Sequence, residues 1–276
     1  MTMDEMRRRF DNFFGPRVPP KTQKIMIGDI PAAWFGLDFP EQPIVLYFHG
    51  GGFQMGSIRS HAGLIDALSD AARARVLAFD YRLAPEHIFP AQIEDSLTVY
   101  RWLLASGIPA EKVVFAGDSA GAGLALVTFF RAREAGLSLP CGMVFLSPWL
   151  DMVPARKSYE TRARLDPLTQ REKVKFMAKL YLGAGGDPTH PLVSPINGDL
   201  SGLPPILIHI GDHETIMDDA LEFVKRVEAE GGQVQLRIWD QMIHHFQLFP
   251  ELDETQKSLE GVGRFIRERL SVMRSV

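Results

Sequence analysis

The sequence predicts an α/β fold, a mostly parallel eight-stranded sheet flanked by helices. Two observations predict it. Short apolar, β-rich runs alternate with longer stretches of helical periodicity, the pattern that lays a parallel sheet between two helical layers. In addition, Gly117-Asp118-Ser119-Ala120-Gly121 stands between a strand pattern at residues 112–116 and an Ala- and Leu-rich helix pattern from Ala120 to about Arg133. That context puts a serine on a sharp strand-to-helix turn.

Taken in order, Met6, Phe10, Phe13 and Phe14 fall on one face of a helix over residues 3–14,. Runs at 24–28 and 32–36 read as two edge strands joined by a turn at 29–31. The further strands are expected at Ile44–Phe48, 76–80, 113–117, 142–147, 206–210 and Val234–Trp239, with helices near 61–72, Ala91–Ala105, 120–133, 217–230 and from Glu254 to about Leu270. The segment from Trp149 to about Leu182 interrupts the alternation. It carries Asp166-Pro167 as a helix start and an apolar set at Val174, Met177, Ala178 and Tyr181. The expectation is a single domain, 1–276, with small helical cap elements from about 1–20 and 149–182.

Composition narrows the class. A chain of 276 residues, 46% hydrophobic and 23% charged, can bury a large core in one domain,. A net charge of −4 offers no basic field, so nucleic acid and anionic membranes are not expected partners,. Cys141, with apolar neighbours, reads as a buried small residue and allows no internal disulfide,. Asp4, Glu5 and three arginines near the start, with no apolar stretch behind them, make a cytoplasmic address the simplest expectation,.

The chemistry lies in two glycine-rich motifs. Side chains at Gly117 and Gly121 would collide in so tight a turn, and the turn leaves Ser119 exposed at a helix N-terminus that favours developing negative charge. His49-Gly50-Gly51-Gly52 follows a strand, and glycines there let backbone N–H groups approach a substrate carbonyl. Gly51, Gly52 and Ala120 are the candidate oxyanion donors, with Gly50 as a further one. A serine nucleophile facing such donors points to acyl transfer through an acyl-enzyme.

The stretches Tyr47-Phe48-His49-Gly50-Gly51-Gly52-Phe53, Asp80-Tyr81-Arg82-Leu83-Ala84-Pro85-Glu86-His87, Gly117-Asp118-Ser119-Ala120-Gly121, Ser147-Pro148-Trp149-Leu150-Asp151, Gly202-Leu203-Pro204-Pro205 and Met242-Ile243-His244 together resemble the bacterial hormone-sensitive-lipase-like esterases of the α/β-hydrolase fold. The similarity runs from about residue 30 to about 265. It implies hydrolysis of small short-chain acyl esters, about two to eight carbons, no metal or organic cofactor, a helical cap, and a homodimer through the sheet edge near the last strand and helix. For residues 80–87 it implies structural roles only, with Glu86 a buried, hydrogen-bonded carboxylate.

In this fold the acid and then the histidine follow the serine. His209 lies mid-strand and His190 in a loop with no strand before it, whereas His244 and His245 follow the last strand. The pattern Met-x-His-x-Phe selects His244 as base, and His245, where relatives often carry a small residue, is assigned a supporting role. A metal reading of His213, His244 and His245 has no ligand spacing behind it. For the acid, counting back from Asp219 and from His244 both reach Glu214, with Asp212 and Asp218 as alternatives. A histidine base, ordinarily titrating near about 6.5, implies activity that climbs from mildly acidic to mildly alkaline pH. The other readings are a deacetylase or amidase acting on a specific metabolite, and a non-catalytic small-molecule receptor on the same fold.

Overall fold

Eight strands form one sheet in the order β1-β2-β4-β3-β5-β6-β7-β8. They are β1 (Gln23–Ile27), β2 (Ile30–Phe35), β3 (Ile44–Phe48), β4 (Arg75–Phe79), β5 (Val113–Asp118), β6 (Gly142–Leu146), β7 (Ile206–Gly211) and β8 (Val234–Trp239). The structure is a computed structural model that describes residues 2–16, 18–38 and 43–272. β1 pairs with β2, and β2 with β4, antiparallel; every other neighbouring pair is parallel.

The central strands are buried along their whole length, which is why they read as unbroken apolar runs,. Alternation still sorts them by face. Ile44, Leu46 and Phe48 join the layer built with α3 (Ala91–Ala105), α4 (Ala120–Glu134) and α7 (Met217–Ala229), while Val45 and Tyr47 face α2 (Ile58–Ala72) and α8 (Asp253–Val272),. β8 is one edge of the sheet and β1 the other; along β8 half-buried positions alternate with exposed ones, and Arg237 lies over the Trp239 ring.

Several boundaries differ from the sequence reading for local reasons. The first turn is Gly28-Asp29, so Ile30 and Pro31 already belong to β2, and β2 is an inner strand rather than an edge. α2 starts at Ile58, before the expected 61, because Ser57 forms a capping box with Ser60 and Asp80 Oδ1 accepts the Ile58 N–H at 2.6 Å,. Asp166-Pro167 does not open a helix. Asp166 accepts the N–H groups of Leu168, Thr169 and Thr215 and so builds a turn, and α6 (Arg171–Leu182) begins four residues after Pro167, preceded by a short α5 (Ser158–Thr161). Glu86 is not buried either: it is exposed and paired with Arg7 at 2.6 Å.

The two segments outside the alternation lie next to each other. α1 (Met3–Phe14) is fixed by a capping box between Thr2 and Glu5, and Phe14 meets Phe249 with ring centroids 5.7 Å apart. Arg7 donates to the carbonyls of Gln54 and Ala84. α6 reaches the same loop from the other side: Gln54 Nε2 donates to the Met177 carbonyl at 2.9 Å, and Tyr181 stacks on Phe53 at 4.0 Å. An open, largely apolar groove of about 710 Å³ is lined by Phe10, Phe13, Met55 and Leu168 among others.

Candidate active site

The carboxyl ends of β3, β5, β7 and β8 converge, and each delivers one part of the site. β5 ends directly in Ser119, whose φ of +49° and ψ of −119° are unusual for a residue with a side chain,. Such backbone strain persists where the surroundings over-determine it. At Gly121 a Cβ would run into the Phe48 carbonyl, and at Gly117 it would stand 2.7 Å from the Gly121 carbonyl carbon. These contacts give the physical reason for both glycines.

Ser119 Oγ lies 2.9 Å from His244 Nε2, and His244 Nδ1 lies 2.8 Å from Glu214 Oε2. All three residues are buried. A carboxylate accepts, so it holds the proton on Nδ1 and leaves Nε2 to accept from the serine hydroxyl. Glu214 is fixed in turn by its other oxygen, which accepts from the Ser147 hydroxyl at 2.7 Å and the Gly211 N–H at 2.6 Å.

The other acids and histidines lie elsewhere. Asp212 accepts the Gln241 N–H, and Asp218 accepts the Ser158 N–H. Asp219 is bound to Tyr159 and Arg156. His190 is exposed in its loop, and His209 packs internally against Ser258. His213 is half-buried beside Asp212.

Gly51 and Gly52 hold φ values of +115° and +64° beside the serine turn. Among the described residues no acceptor is recorded for the N–H groups of Gly51, Gly52 or Ala120. Gly50 differs: its N–H donates to Asp118 Oδ1 at 2.9 Å, so the geometry removes it from the set of free donors.

Asp118 is the hub that the sequence reading left without a role. Tyr47 donates its hydroxyl to Oδ1 at 2.7 Å, while His61 Nε2 and His245 Nδ1 stand 3.3 and 3.4 Å from Oδ2. Burial alone would raise this carboxyl, but the charge of His61 and the hydrogen bonds from His61 and Tyr47 outweigh it and hold it low. His61 moves the other way, its burial outweighed by Asp118. His61, Asp118 and His245 are also the one group among the described residues with the types and proximity to hold a cation. Protein partners already orient its carboxylate. No local pattern marks His61, and the motif stretches that hold Tyr47 and Ser147 do not show their partners, because each residue acts on a carboxylate from a distant part of the chain.

A sheet of this order, with a strained serine turn after β5 and a histidine–carboxylate pair after β8 and β7, defines an α/β-hydrolase. A family model described as alpha/beta hydrolase fold matches residues 45–248. The chain is 40% identical to an acetyl-hydrolase of Streptomyces hygroscopicus, over 94% of this chain and 87% of that one. It is 33% identical to an esterase of Acinetobacter venetianus, over 80% and 74%. Among solved structures it resembles an esterase from the bacterial hormone-sensitive lipase family (39% identity, 98% and 92% covered, TM-score 0.94) and the esterase EstE5 soaked with p-nitrophenyl butyrate (38%, 98% and 92%, 0.93). The chain belongs to the bacterial hormone-sensitive-lipase-like esterases of the α/β-hydrolase fold.

Proposed function

We propose that this carboxylesterase hydrolyses short-chain acyl esters with Ser119 as nucleophile, His244 as general base and Glu214 as the acid that orients it. The observation that carries the reading is the unbroken line Ser119 Oγ–His244 Nε2 and Nδ1–Glu214 Oε2, at 2.9 and 2.8 Å. His244 takes the serine proton as the oxygen attacks the ester carbonyl. The N–H groups of Gly51, Gly52 and Ala120 receive the tetrahedral oxyanion. His244 then returns the proton to the departing alcohol and activates water against the acyl-enzyme. Glu214 holds the imidazole in the required tautomer and stabilises the imidazolium.

α1 and α6 are the cap in this reading. Met177 packs over Gly52 so closely that a Cβ there would run into its sulfur, and this crowding of the donor loop supports acyl groups of about two to eight carbons,. The acetyl-hydrolase among the relatives agrees with the short end of that range. It also supports a second reading, deacetylation of a specific metabolite by the same residues. No helix among the described residues is long and apolar enough to cross a membrane. A homodimer through the open β8 edge, where Ile238 is exposed, and a cytoplasmic location complete the proposal.

The test is turnover of nitrophenyl esters from acetate to palmitate by the wild type and by Ser119→Ala of equal Tm. Turnover highest on the short esters and abolished in the variant is expected. Turnover that survives Ser119→Ala overturns the assignment, and a preference for palmitate in emulsion overturns the chain-length range.

A further inference from the structure

We propose that His245 is a positioning residue for ester cleavage, its ring wedged between the oxyanion loop and the base so that the two keep a fixed relation through Asp118. The inference rests on the assignment of Ser119, Glu214 and His244 above.

Three contacts place the ring, and a fourth holds its backbone. It is buried against Gly50, where its Cε1 would stand 2.7 Å from any Cβ added at that position. Its Nδ1 lies 3.4 Å from Asp118 Oδ2, and the other oxygen of the same carboxylate holds the Gly50 N–H. Its centroid is 4.2 Å from that of His244. Its backbone N–H reaches Ser147 Oγ at 3.4 Å, and Ser147 donates to Glu214. One residue thus touches the loop that carries the donors, the base, and the serine that steadies the acid.

The backbone at this position strengthens the argument. His245 has a φ of +61°, in the left-handed region where glycine or asparagine sits with less strain,. A larger ring kept in that conformation has a use that the turn itself does not supply. Burial first, and then the charge of His244, hold this imidazole well below the ordinary histidine range, against the pull of Asp118. It therefore flanks His244 as a neutral wall and does not compete with the imidazolium that forms there. Without the wall, the base and the Gly50–Gly52 loop each gain freedom, and catalysis is sensitive to displacements of 1 Å or less.

The test uses substitutions suited to left-handed backbone. His245→Gly removes the ring, whereas His245→Asn keeps an N–H group close to the place of Nδ1. For the full chain, kcat and KM on p-nitrophenyl butyrate, the Ki of a trifluoromethyl ketone whose adduct oxygen occupies the oxyanion site, and Tm are measured together. His245→Gly is expected to lower kcat on the order of 10- to 100-fold, weaken the ketone by a similar factor and leave KM within about 3-fold. His245→Asn is expected to recover most of the loss. Wild-type kcat in His245→Gly, or an Asn variant as impaired as the Gly variant at equal Tm, overturns the proposal. Should His245→Gly not fold, His245→Ser takes its place in the same comparison. Fluorophosphonate labelling of wild-type Ser119 separates the two levels. Absence of labelling and turnover defeats the underlying assignment, whereas a labelled, active wild type matched by His245→Gly defeats this inference alone.

Discussion

Glu214 and His244 meet at 2.8 Å although thirty positions separate them in the chain. A glutamate is one methylene longer than aspartate, and here it starts from the turn right after β7, with Gly211 N–H and Ser147 gripping its second oxygen. Asp212, nearer to the strand, is turned instead toward Gln241. Glu214→Gln is expected to keep the fold and cut kcat by about 10²–10⁴, as an amide favours the wrong imidazole tautomer. Asp212→Asn should stay within a few-fold of wild type. Steady-state kinetics with matched Tm values decide, and the reverse ranking would reassign the acid.

Ser147 aims Glu214, so its hydroxyl should matter without touching substrate. Ser147→Ala removes the donor to Glu214 Oε1 together with the oxygen that the His245 N–H reaches at 3.4 Å. Glu214 Oε1 then keeps only the Gly211 N–H, and losing one hydrogen bond to a carboxylate costs about 1.5–3 kcal/mol,. A kcat lowered about 10-fold with KM nearly unchanged is expected, and a wild-type kcat would show that Gly211 alone suffices.

The parallel sheet was legible because buried strands and amphipathic helices carry different periodicities, and Ser119 because its turn demands small neighbours at 117 and 121. His244 and Glu214 were reachable by interval and family pattern. Other features needed the third dimension. Asp166 reads as a helix start by local chemistry, yet its carboxylate is drawn to Thr215 in a loop 49 residues away. The family resemblance implies a buried Glu86, whereas α1 brings Arg7 to it at the surface. The Asp118 hub joins Tyr47, His61 and His245 from three separate elements, and the same carboxylate accepts the Gly50 N–H.

Gly51 has two reasons to be glycine. Its φ is +115°, and a Cβ would run into the Met55 carbonyl, a backbone atom that cannot swing aside. Gly51→Ala should displace the donor loop and lower kcat about 10²–10³-fold. Gly28→Ala is the control, since it also sits at positive φ (+59°) with nothing within 4 Å. It should lower Tm with no change in kcat. Equal kinetics for the two variants would count against a role for Gly51 in catalysis.

Deleting residues 1–14 should destabilise the protein and raise KM. The deletion removes Arg7 from the Gln54 and Ala84 carbonyls, Asp11 from the Ser57 hydroxyl, and Phe14 from Phe249. The Gln54 loop next to Gly51 and Gly52 then lacks one of its two flanks. Arg7→Ala should show the same changes in milder form. Thermal melts and nitrophenyl butyrate kinetics test both, and an unchanged KM in the deletion would place α1 outside substrate binding.

The stability should carry an acid-sensitive contribution from His209, with a sign that can be worked out. The side chain is buried inside β7, its Nδ1 2.8 Å from Ser258 Oγ and its ring edge-on to Trp239. Burial first, and then Arg237, lower it to about 3, while an unfolded chain leaves a histidine near about 6.5. Between those values the unfolded state binds more protons, so this contribution to stability is lost as the pH falls through the window. His49, lowered to about 3 mainly by burial, acts in the same direction. Asp80 and Asp219, raised mainly by burial to about 6 and about 7, act oppositely, because there the folded state binds more protons. Those three groups are common to wild type and His209→Asn and largely cancel in the difference. The stability of wild type minus that of His209→Asn, from urea denaturation, should therefore shrink between pH 6 and pH 4 on the order of 1 kcal/mol per unit. A difference that stays flat or widens on acidification would mean that the folded protein accommodates a charged His209.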